Sequence, residues 1–161
     1  MGKCDSEPPV FVNTVKVQSA KDMYDAVIER ADSMDIIVKA AAVADYRPKN
    51  VSSEKVKKQD GNMSIELERT NDILKTLGER KNGQFICGFS METENMLENS
   101  RKKLEKKNCD MIVANNLKQD GAGFGGNTNI VTLITKDDEV QLEKMTKDEV
   151  AEKIFDFILS R

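Results

Sequence analysis

The chain has 161 residues, of which 33% are charged and 39% hydrophobic, and its formal net charge is -3. This length allows one domain with a sizeable core, and the composition is that of a globular chain and excludes a disordered one. The small negative charge provides no basic field that would attract nucleic acid or an anionic membrane. The longest apolar run, Asp35–Ala44, is too short to span a bilayer, and the first residues lack the apolar segment of a secretory signal. We therefore expect a cytoplasmic protein without a nucleic-acid or membrane partner.

The sequence contains no histidine and three cysteines, Cys4, Cys87 and Cys109. The lack of histidine excludes Ser-His-Asp and Cys-His catalysis and zinc sites built on imidazole. The odd number of cysteines and their wide spacing do not suggest a disulfide framework. Cys87 and Cys109 lie in or beside apolar runs, so we expect buried, unreactive thiols. Chemistry driven by a nucleotide leaving group needs no histidine, so the absence of histidine mildly favours it.

The first third of the chain predicts two strands, a helix and a loop. β-Branched residues over Val10–Val17 predict a strand, and Ser19 predicts the N-cap of a helix that continues to Ala31. The apolar run Asp35–Ala42 shows little alternation, which predicts a parallel strand covered on both faces. The segment Asp45–Asp60 is polar and contains a proline, so it predicts a loop.

The rest of the chain predicts strands alternating with helices. The predicted elements are a half-exposed strand over Met63–Glu68, a helix capped by Asn71, a buried strand over Gln84–Met91, a helix over Glu94–Lys107, a buried strand over Asp110–Asn115, a hairpin of Ile130–Thr135 and Val140–Met145, and a last helix with a capping box of Thr146 and Glu149. This order predicts an α/β layered fold with a mostly parallel sheet, in one domain over residues 1–161.

Three of the predicted loops follow predicted parallel strands. They are Ala44–Asp60, the turn after Phe89, and Asn115–Asn129. Ligands of open α/β sheets bind outside the carboxyl ends of the strands. We therefore expect the functional site where these three loops meet.

Several polar side chains in this region suit a nucleotide. Asp45 suits a divalent cation that accompanies a triphosphate, and the cluster Lys55–Lys58 suits its phosphate charge. Asn71 opens a helix, whose free N–H groups bind anions, and Lys103 and Lys107 share a helix face. Each signal has an ordinary structural alternative: a turn cap for Asp45, plain capping for Asn71, and solvated surface for the lysines.

The glycine-rich segment Gly121–Gly126 superficially resembles a dinucleotide-binding fingerprint. Its spacing is wrong for that motif, and a strand follows it where a helix is required. A nicotinamide-dependent oxidoreductase is therefore disfavoured. A loop that closes over a substrate, with Phe124 as its apolar plug, fits the sequence better.

The order of these segments resembles that of the bacterial phosphopantothenoylcysteine synthetases, a family often found as the C-terminal domain of a bifunctional coenzyme A flavoprotein. The resemblance extends from about Val15 to the C-terminus. It is carried, in chain order, by Ala41–Pro48, Lys55–Lys58, Asn71–Leu74, Gly88–Phe89, Lys103 with Lys107, Ala114–Asn116 and Gly123–Asn129.

The resemblance implies a Rossmann-like three-layer sandwich with a C-terminal β-hairpin and helix, a homodimer, and the use of CTP with Mg²⁺. It implies a ligase of coenzyme A biosynthesis that joins 4'-phosphopantothenate to cysteine. The carboxylate of 4'-phosphopantothenate would attack the α-phosphate of CTP, which releases pyrophosphate and forms an acyl-cytidylate. The cysteine amine would then attack the acyl carbon and release CMP.

The resemblance also implies roles for individual residues. Lys55 matches the catalytic lysine, and Asp45 matches the aspartate at the nucleotide and its metal. Further nucleotide contacts are implied at Ala41, Ala44, Asn71, Asp72, Ile73, Leu74, Phe89, Lys103 and Lys107. Substrate-side positions are implied at Asn115, Phe124 and Asn129.

Two departures from the family pattern qualify these expectations. The family begins with a strand, a Gly-Pro-Thr turn, and an asparagine followed by Ser-Ser-Gly, to which Met1–Pro9 has no likeness. We therefore expect a domain truncated at its N-terminus, with a CTP-binding module without turnover as the alternative. Asn116 and Asn127 also stand where acidic residues are common. The decarboxylase half of the bifunctional enzyme is absent, so no flavin is expected.

Overall fold

The computed structural model describes residues 8–57, 60–92, 94–116 and 126–161. The chain divides into two compact units, Met1–Glu29 with Ala42–Ile73 and Arg30–Ala41 with Leu74–Arg161. The prediction that residues 1–161 form a single domain stays a prediction.

The described residues form four helices and nine strands. The helices are α1 (Ala20–Ala31), α2 (Ile73–Arg80), α3 (Met96–Lys106) and α4 (Lys147–Leu159). The strands are β1 (Ile36–Lys39), β2 (Tyr46–Pro48), β3 (Leu67–Arg69), β4 (Phe85–Glu92), β5 (Met111–Asn116), β6 (Thr128–Asn129), β7 (Val131–Ile134), β8 (Glu139–Gln141) and β9 (Met145–Thr146).

Two of the three predicted helix caps, those at Ser19 and Thr146, are formed in the structure. At the start of α1 the Ser19 hydroxyl accepts a hydrogen bond from the Asp22 N–H at 3.1 Å, and the Asp22 carboxylate accepts one from the Ser19 N–H at 2.9 Å. At the start of α4, Thr146 and Glu149 make the reciprocal bonds of a capping box. The bonds that Ser19 and Thr146 donate from their backbone N–H groups hold the pKa of the Asp22 and Glu149 carboxyls below their ordinary values.

The larger unit contains a five-stranded sheet in the order β1-β4-β5-β7-β8. β1, β4 and β5 are parallel, and Phe89 lies opposite Val113 in the β4–β5 register. β7 and β8 run antiparallel to their neighbours and form the predicted hairpin. The predicted α/β fold with a largely parallel sheet, a hairpin and a last helix is therefore confirmed.

The two faces of this sheet carry different helices. On one face Cys87, Met111 and Val113 pack in a core with Ile154 and Ile158 of α4. On the other face a Cβ atom at Gly88 would lie 2.7 Å from Leu74 Cδ2 of α2 and 3.0 Å from Ile112 Cδ1. α3 lies beside α2, and its Leu104 is buried. The result is a sandwich of three layers, as the resemblance implies.

The predicted strand over Val10–Val17 is wrong. A turn starts at Val10, Phe11 has a φ of 64°, and residues 13–18 form neither helix nor strand. β-Branched residues favour a strand by packing against neighbouring strands, so their composition alone does not produce one.

The first parallel strand is shorter and more exposed than predicted. Asp35–Ala42 was expected to be covered on both faces, whereas β1 spans Ile36–Lys39 only and Val38 is 37% exposed. β1 lies at the edge of the sheet, where β4 is its one neighbour among the described strands, so part of its surface is left uncovered.

The polar segment before α2 contains a two-stranded ribbon that the sequence did not predict. β2 lies inside the predicted loop Asp45–Asp60 and pairs antiparallel with β3. The strand predicted over Met63–Glu68 forms only at Leu67–Arg69. Register is set here by cross-strand pairs such as Arg47 with Glu68, whose side chains form an ion pair at 2.6 Å. Such pairs join residues that are distant in sequence.

The second strand of the predicted hairpin is divided. β8 ends at Gln141, although the strand was predicted over Val140–Met145. Met145 instead lies opposite Asn129 in the small β6–β9 ribbon that precedes α4. The alternating pattern is the same for one strand and for two short consecutive ones, so the sequence could not separate them.

Candidate functional site

The carboxyl ends of the parallel strands meet at one edge of the sheet. Glu92 at the end of β4 lies opposite Asn116 at the end of β5, and Lys39 at the end of β1 lies opposite Gly88. Ala41 follows two residues after β1 and is exposed. The chain segments after β4 and β5 thus start from the same edge, but the turn predicted after Phe89 is wrong, because β4 continues to Glu92.

In the smaller unit, Thr70 brings three of the predicted site residues together. Its hydroxyl donates to the Ala44 carbonyl at 2.6 Å, and its backbone N–H donates to the Asp45 carbonyl at 3.0 Å. Asn71 follows Thr70 directly, so Ala44, Asp45 and Asn71 are neighbours in space. The sequence analysis missed Thr70, although a hydroxyl residue next to a capping asparagine is a usable signal.

The Asp45 side chain is exposed and makes no ion pair with any residue that the structure describes. The described residues contain no group of three Asp, Glu, Cys or His side chains that would hold a metal ion. Mg²⁺ is commonly bound through one or two carboxylates together with the phosphates of a nucleotide. A lone exposed Asp45 fits that arrangement and does not fit a dedicated all-protein metal site.

Lys55 is exposed and lies in a segment without helix or strand. It makes no ion pair within the described part of the chain, so its ammonium charge is not neutralised by a neighbouring carboxylate there. An ammonium in such a position is available to a phosphate. Lys58, the last lysine of the predicted cluster, lies outside the described residues.

Of the four site residues predicted around Asn71 at the start of α2, two are exposed and two are buried. Asn71 and Asp72 are exposed, whereas the side chains of Ile73 and Leu74 are only 2% and 4% exposed. Ile73 and Leu74 are therefore core residues by their side chains. Any contact that they make with a nucleotide is restricted to their backbone N–H groups in the first turn of α2.

Lys103 and Phe89, each predicted as a nucleotide contact, are in direct contact with each other. The Lys103 Nζ atom donates a hydrogen bond to the Phe89 carbonyl oxygen at 2.8 Å. Lys107 lies one helical turn further along α3 and is half-buried. Its backbone carbonyl packs so closely on α2 that a Cβ atom at Gly78 would lie 1.9 Å from the Lys107 oxygen. The lysine face of α3 is thus fixed by contacts with β4 and α2.

The substrate-side residues are placed in part. Asn115 is 8% exposed, and its Oδ1 atom has no hydrogen-bond partner among the described residues. Asn115 lies opposite Val131, which follows Asn129 by two residues in the chain. The Asn129 Oδ1 atom accepts a hydrogen bond from the Ile130 N–H at 3.0 Å. Asn115 therefore lies opposite β7, the strand that follows Asn129 and β6 in the chain. Phe124 lies outside the described residues.

A polar cluster at the end of β4 was missed by the sequence analysis. The Ser90 hydroxyl donates to one carboxylate oxygen of Glu92 at 3.0 Å, and Asn99 Nδ2 of α3 donates to the other at 3.3 Å. Ser90 is 2% exposed. A serine inside an apolar strand followed by a carboxylate two residues later was the available signal.

The two described cysteines are buried, as predicted. Cys87 is fully buried and Cys109 is 8% exposed, and no disulfide joins them. Burial raises the pKa of each thiol to about 12. Thiols that stay protonated are poor nucleophiles, which is consistent with structural and not catalytic cysteines. Cys4 lies outside the described residues.

Taken together, the fold and the edge residues define a Rossmann-like α/β domain with polar groups at the carboxyl ends of its parallel strands. Residues 1–161 match the family profile described as the DNA/pantothenate metabolism flavoprotein C-terminal domain, and the chain belongs to this family.

Two curated relatives and one solved structure illustrate the family. The chain is 53% identical over 131 residues to the "Coenzyme A biosynthesis bifunctional protein CoaBC" of Bacillus subtilis (strain 168), covering 81% of this chain and 32% of that protein. It is 43% identical over 151 residues to a "Cysteine/Cysteine sulfinic acid decarboxylase" from an unknown prokaryotic organism, covering 92% and 42%. The crystal structure of the C-terminal domain of a CoaBC protein superposes with a TM-score of 0.80 at 48% identity, over 99% of this chain and 72% of that one.

The chain thus spans about a third to two fifths of these curated relatives. Within the described ranges, none of its helices combines the length and the apolar character needed to cross a lipid bilayer.

Proposed function

We propose that this domain, in the cytoplasm, takes part in coenzyme A biosynthesis as a phosphopantothenate–cysteine ligase that uses CTP and Mg²⁺. Membership in the family and the likeness to CoaBC proteins support the pathway. The structural observation that carries the nucleotide assignment is the Lys103 ammonium held on the Phe89 carbonyl, three residues before the carboxyl end of β4.

The residues would contribute binding and charge stabilisation. Of the three protons on the Lys103 ammonium, one is donated to Phe89, which leaves two for a phosphate or a base. Lys55, exposed and without an ion pair in the described chain, would neutralise the phosphate charge that develops when the carboxylate attacks. Asp45 would supply the protein ligand of the Mg²⁺ that accompanies the nucleotide. The metal would polarise the phosphate oxygens.

The substrate side would be formed by Asn115 and Asn129. The unpartnered Asn115 Oδ1 atom is a buried acceptor, and buried acceptors are almost always satisfied in native proteins. A donor on the substrate, such as an amide or ammonium N–H, would satisfy it. We propose this role for Asn115 in a reaction that has an acyl-cytidylate as its intermediate.

The first test is a calorimetric titration of CTP with Mg²⁺ into the chain. We expect saturable binding, weaker binding of ATP, and a Kd raised about tenfold to a hundredfold by Lys103→Ala, since a charge-assisted hydrogen bond is lost. Lys55→Ala is expected to weaken binding as well. Lys102→Ala is the matched control, because Lys102 is exposed on the same helix and pairs with Glu98 at 2.6 Å.

No CTP binding to the folded chain, or equal losses for Lys102→Ala and Lys103→Ala, would contradict the nucleotide site. Release of CMP and pyrophosphate that depends on both 4'-phosphopantothenate and cysteine would establish turnover. CTP binding without that release would favour the alternative of a binding module without turnover.

We also propose that the chain forms a homodimer through the β2–β3 ribbon. The ribbon has one charged face, with the ion pairs Arg47–Glu68 and Lys49–Glu66, and a mainly apolar face on which the Arg69 guanidinium lies 5.5 Å from the centre of the Tyr46 ring. On the apolar face Tyr46 and Leu67 are 49% and 55% exposed. A two-stranded ribbon is marginally stable by itself in water, and a second copy would cover the same apolar face on both chains.

Sedimentation equilibrium at micromolar concentration tests the dimer. We expect a dimer for the unmodified chain and a monomer for Leu67→Glu, because a carboxylate would then be buried in the apolar contact. Leu159→Glu is the control, since Leu159 is 74% exposed on α4 and lies away from the ribbon in sequence. A monomeric unmodified chain, or dissociation by Leu159→Glu alone, would refute this interface.

A further inference from the structure

The lysine face of α3 is attached to β4 at two successive turns. Asn99 and Lys103 are four residues apart and therefore share a face of the helix. Lys103 donates to the Phe89 carbonyl at 2.8 Å, and Asn99 donates to the Glu92 carboxylate at 3.3 Å. Lys103 contacts Phe89, and Asn99, one turn closer to the start of α3, contacts Glu92, which lies three residues further along β4. The two contacts together fix where α3 lies along the strand.

The Glu92 carboxylate is held in place by two neutral donors. Ser90, 2% exposed, donates to its first oxygen at 3.0 Å. Asn99 donates to its second oxygen, and the same Asn99 amide donates to the Glu94 carbonyl at 3.1 Å. No described lysine or arginine forms an ion pair with Glu92. The carboxylate therefore serves as an oriented double acceptor at the N-terminal end of α3.

The N-terminus of α3 has no side-chain hydrogen bond from its N-cap residue. The N-cap residue, Asn95, is in the left-handed region with a φ of 48° and makes no side-chain capping bond. A carboxylate near the start of a helix also interacts favourably with the helix dipole. The Glu92–Asn99 contact thus replaces a side-chain cap and ties the first turns of α3 to the end of β4.

A small axial shift of α3 would break both attachments. One residue of helix corresponds to about 1.5 Å. Hydrogen bonds to nitrogen donors have a narrow range of length, so a shift of that size would remove Lys103 from the Phe89 carbonyl. The position of the Lys103 ammonium thus depends on groups that lie a full helical turn away from it.

We propose that Glu92 and Asn99 are positioning residues for Lys103: their hydrogen bond fixes α3 along β4 and so holds the Lys103 ammonium at the nucleotide-binding edge. The part that concerns the nucleotide rests on the proposed function. The part that concerns the placement of Lys103 does not.

The first measurement is independent of any nucleotide. In the chain labelled with ¹³C-lysine, the ε-methylene signal of Lys103, identified by its loss in Lys103→Met, reports the Phe89 contact. We expect Asn99→Ala and Glu92→Ala to move this signal toward that of exposed lysines. Glu92→Gln, which keeps an acceptor, is expected to move it less. Glu98→Gln is the matched control, because Glu98 lies in the first turn of α3 and pairs with Lys102.

The second measurement is the Kd of CTP with Mg²⁺ in a double-mutant cycle. We expect Asn99→Ala to raise the Kd about fivefold when Lys103 is present and to leave it unchanged in the Lys103→Met background. An unshifted Lys103 signal in Asn99→Ala would overturn the inference, and so would an equal loss of affinity in both backgrounds. If the unmodified chain binds no CTP, the proposed function fails while the lysine signal still decides the positioning role.

Discussion

Gly78→Ala is expected to lower the free energy of unfolding by about 3 kcal/mol, the upper part of the usual range for overpacking. In an exposed helix the same substitution would add about 1 kcal/mol of stability, because alanine is the better helix former. Here the new Cβ atom would lie 1.9 Å from the Lys107 carbonyl oxygen and 2.8 Å from its carbon. A backbone carbonyl cannot rotate away from it. The clash therefore outweighs the gain in helix propensity.

Urea denaturation of Gly78→Ala and Gly88→Ala provides the comparison. Both variants add one methyl group to a buried glycine. At Gly88 the nearest atoms are the ends of the Leu74 and Ile112 side chains, at 2.7 and 3.0 Å, which can shift. We expect the smaller loss of stability for Gly88→Ala. A Gly78→Ala variant as stable as the unmodified chain would show that α2 and α3 do not pack as described.

Ile112→Ala is expected to lower the free energy of unfolding by about 4 kcal/mol. Ile112 is 0% exposed in β5, between β4 and β7, so its truncation leaves a cavity that the neighbouring strands cannot close. Ile65→Ala removes the same atoms from a side chain that is 59% exposed, and it should change stability by less than about 0.5 kcal/mol. Thermal and urea unfolding of both variants would test the difference. Similar losses would place Ile112 outside the core.

Sequence patterns predicted the large elements well because those elements are determined locally. The runs that became β4 and β5 each begin with apolar residues, and α4 begins with a capping box that is visible in four residues. The prediction failed where a strand depends on a partner. Val10–Val17 has the composition of a strand and forms none in the structure, whereas Tyr46–Pro48 has little strand character and pairs with Leu67–Arg69.

The site residues also divide into those that a local pattern predicts and those that depend on tertiary contacts. The resemblance implied Lys103 and Phe89 as two separate nucleotide contacts, and the structure joins them by one hydrogen bond. Ile73 and Leu74 were predicted as nucleotide contacts, but their side chains belong to the core, which a linear motif cannot reveal. Glu92 and Asn99 escaped notice because their significance depends on the mutual placement of a strand and a helix. The roles of Asp45 and Lys55 stay predictions.

The burial of Cys87 and Cys109 supplies a kinetic probe of local opening. A reagent that is attacked by thiolates reacts very slowly at neutral pH with buried thiols whose pKa is raised to about 12. Modification must wait until the chain around them opens, so its rate follows the population of the opened state when reclosing is fast. Cys87 lies in β4 and Cys109 lies two residues before β5. Their separate labelling rates would therefore measure the local stability of the two strands whose carboxyl ends carry the proposed site.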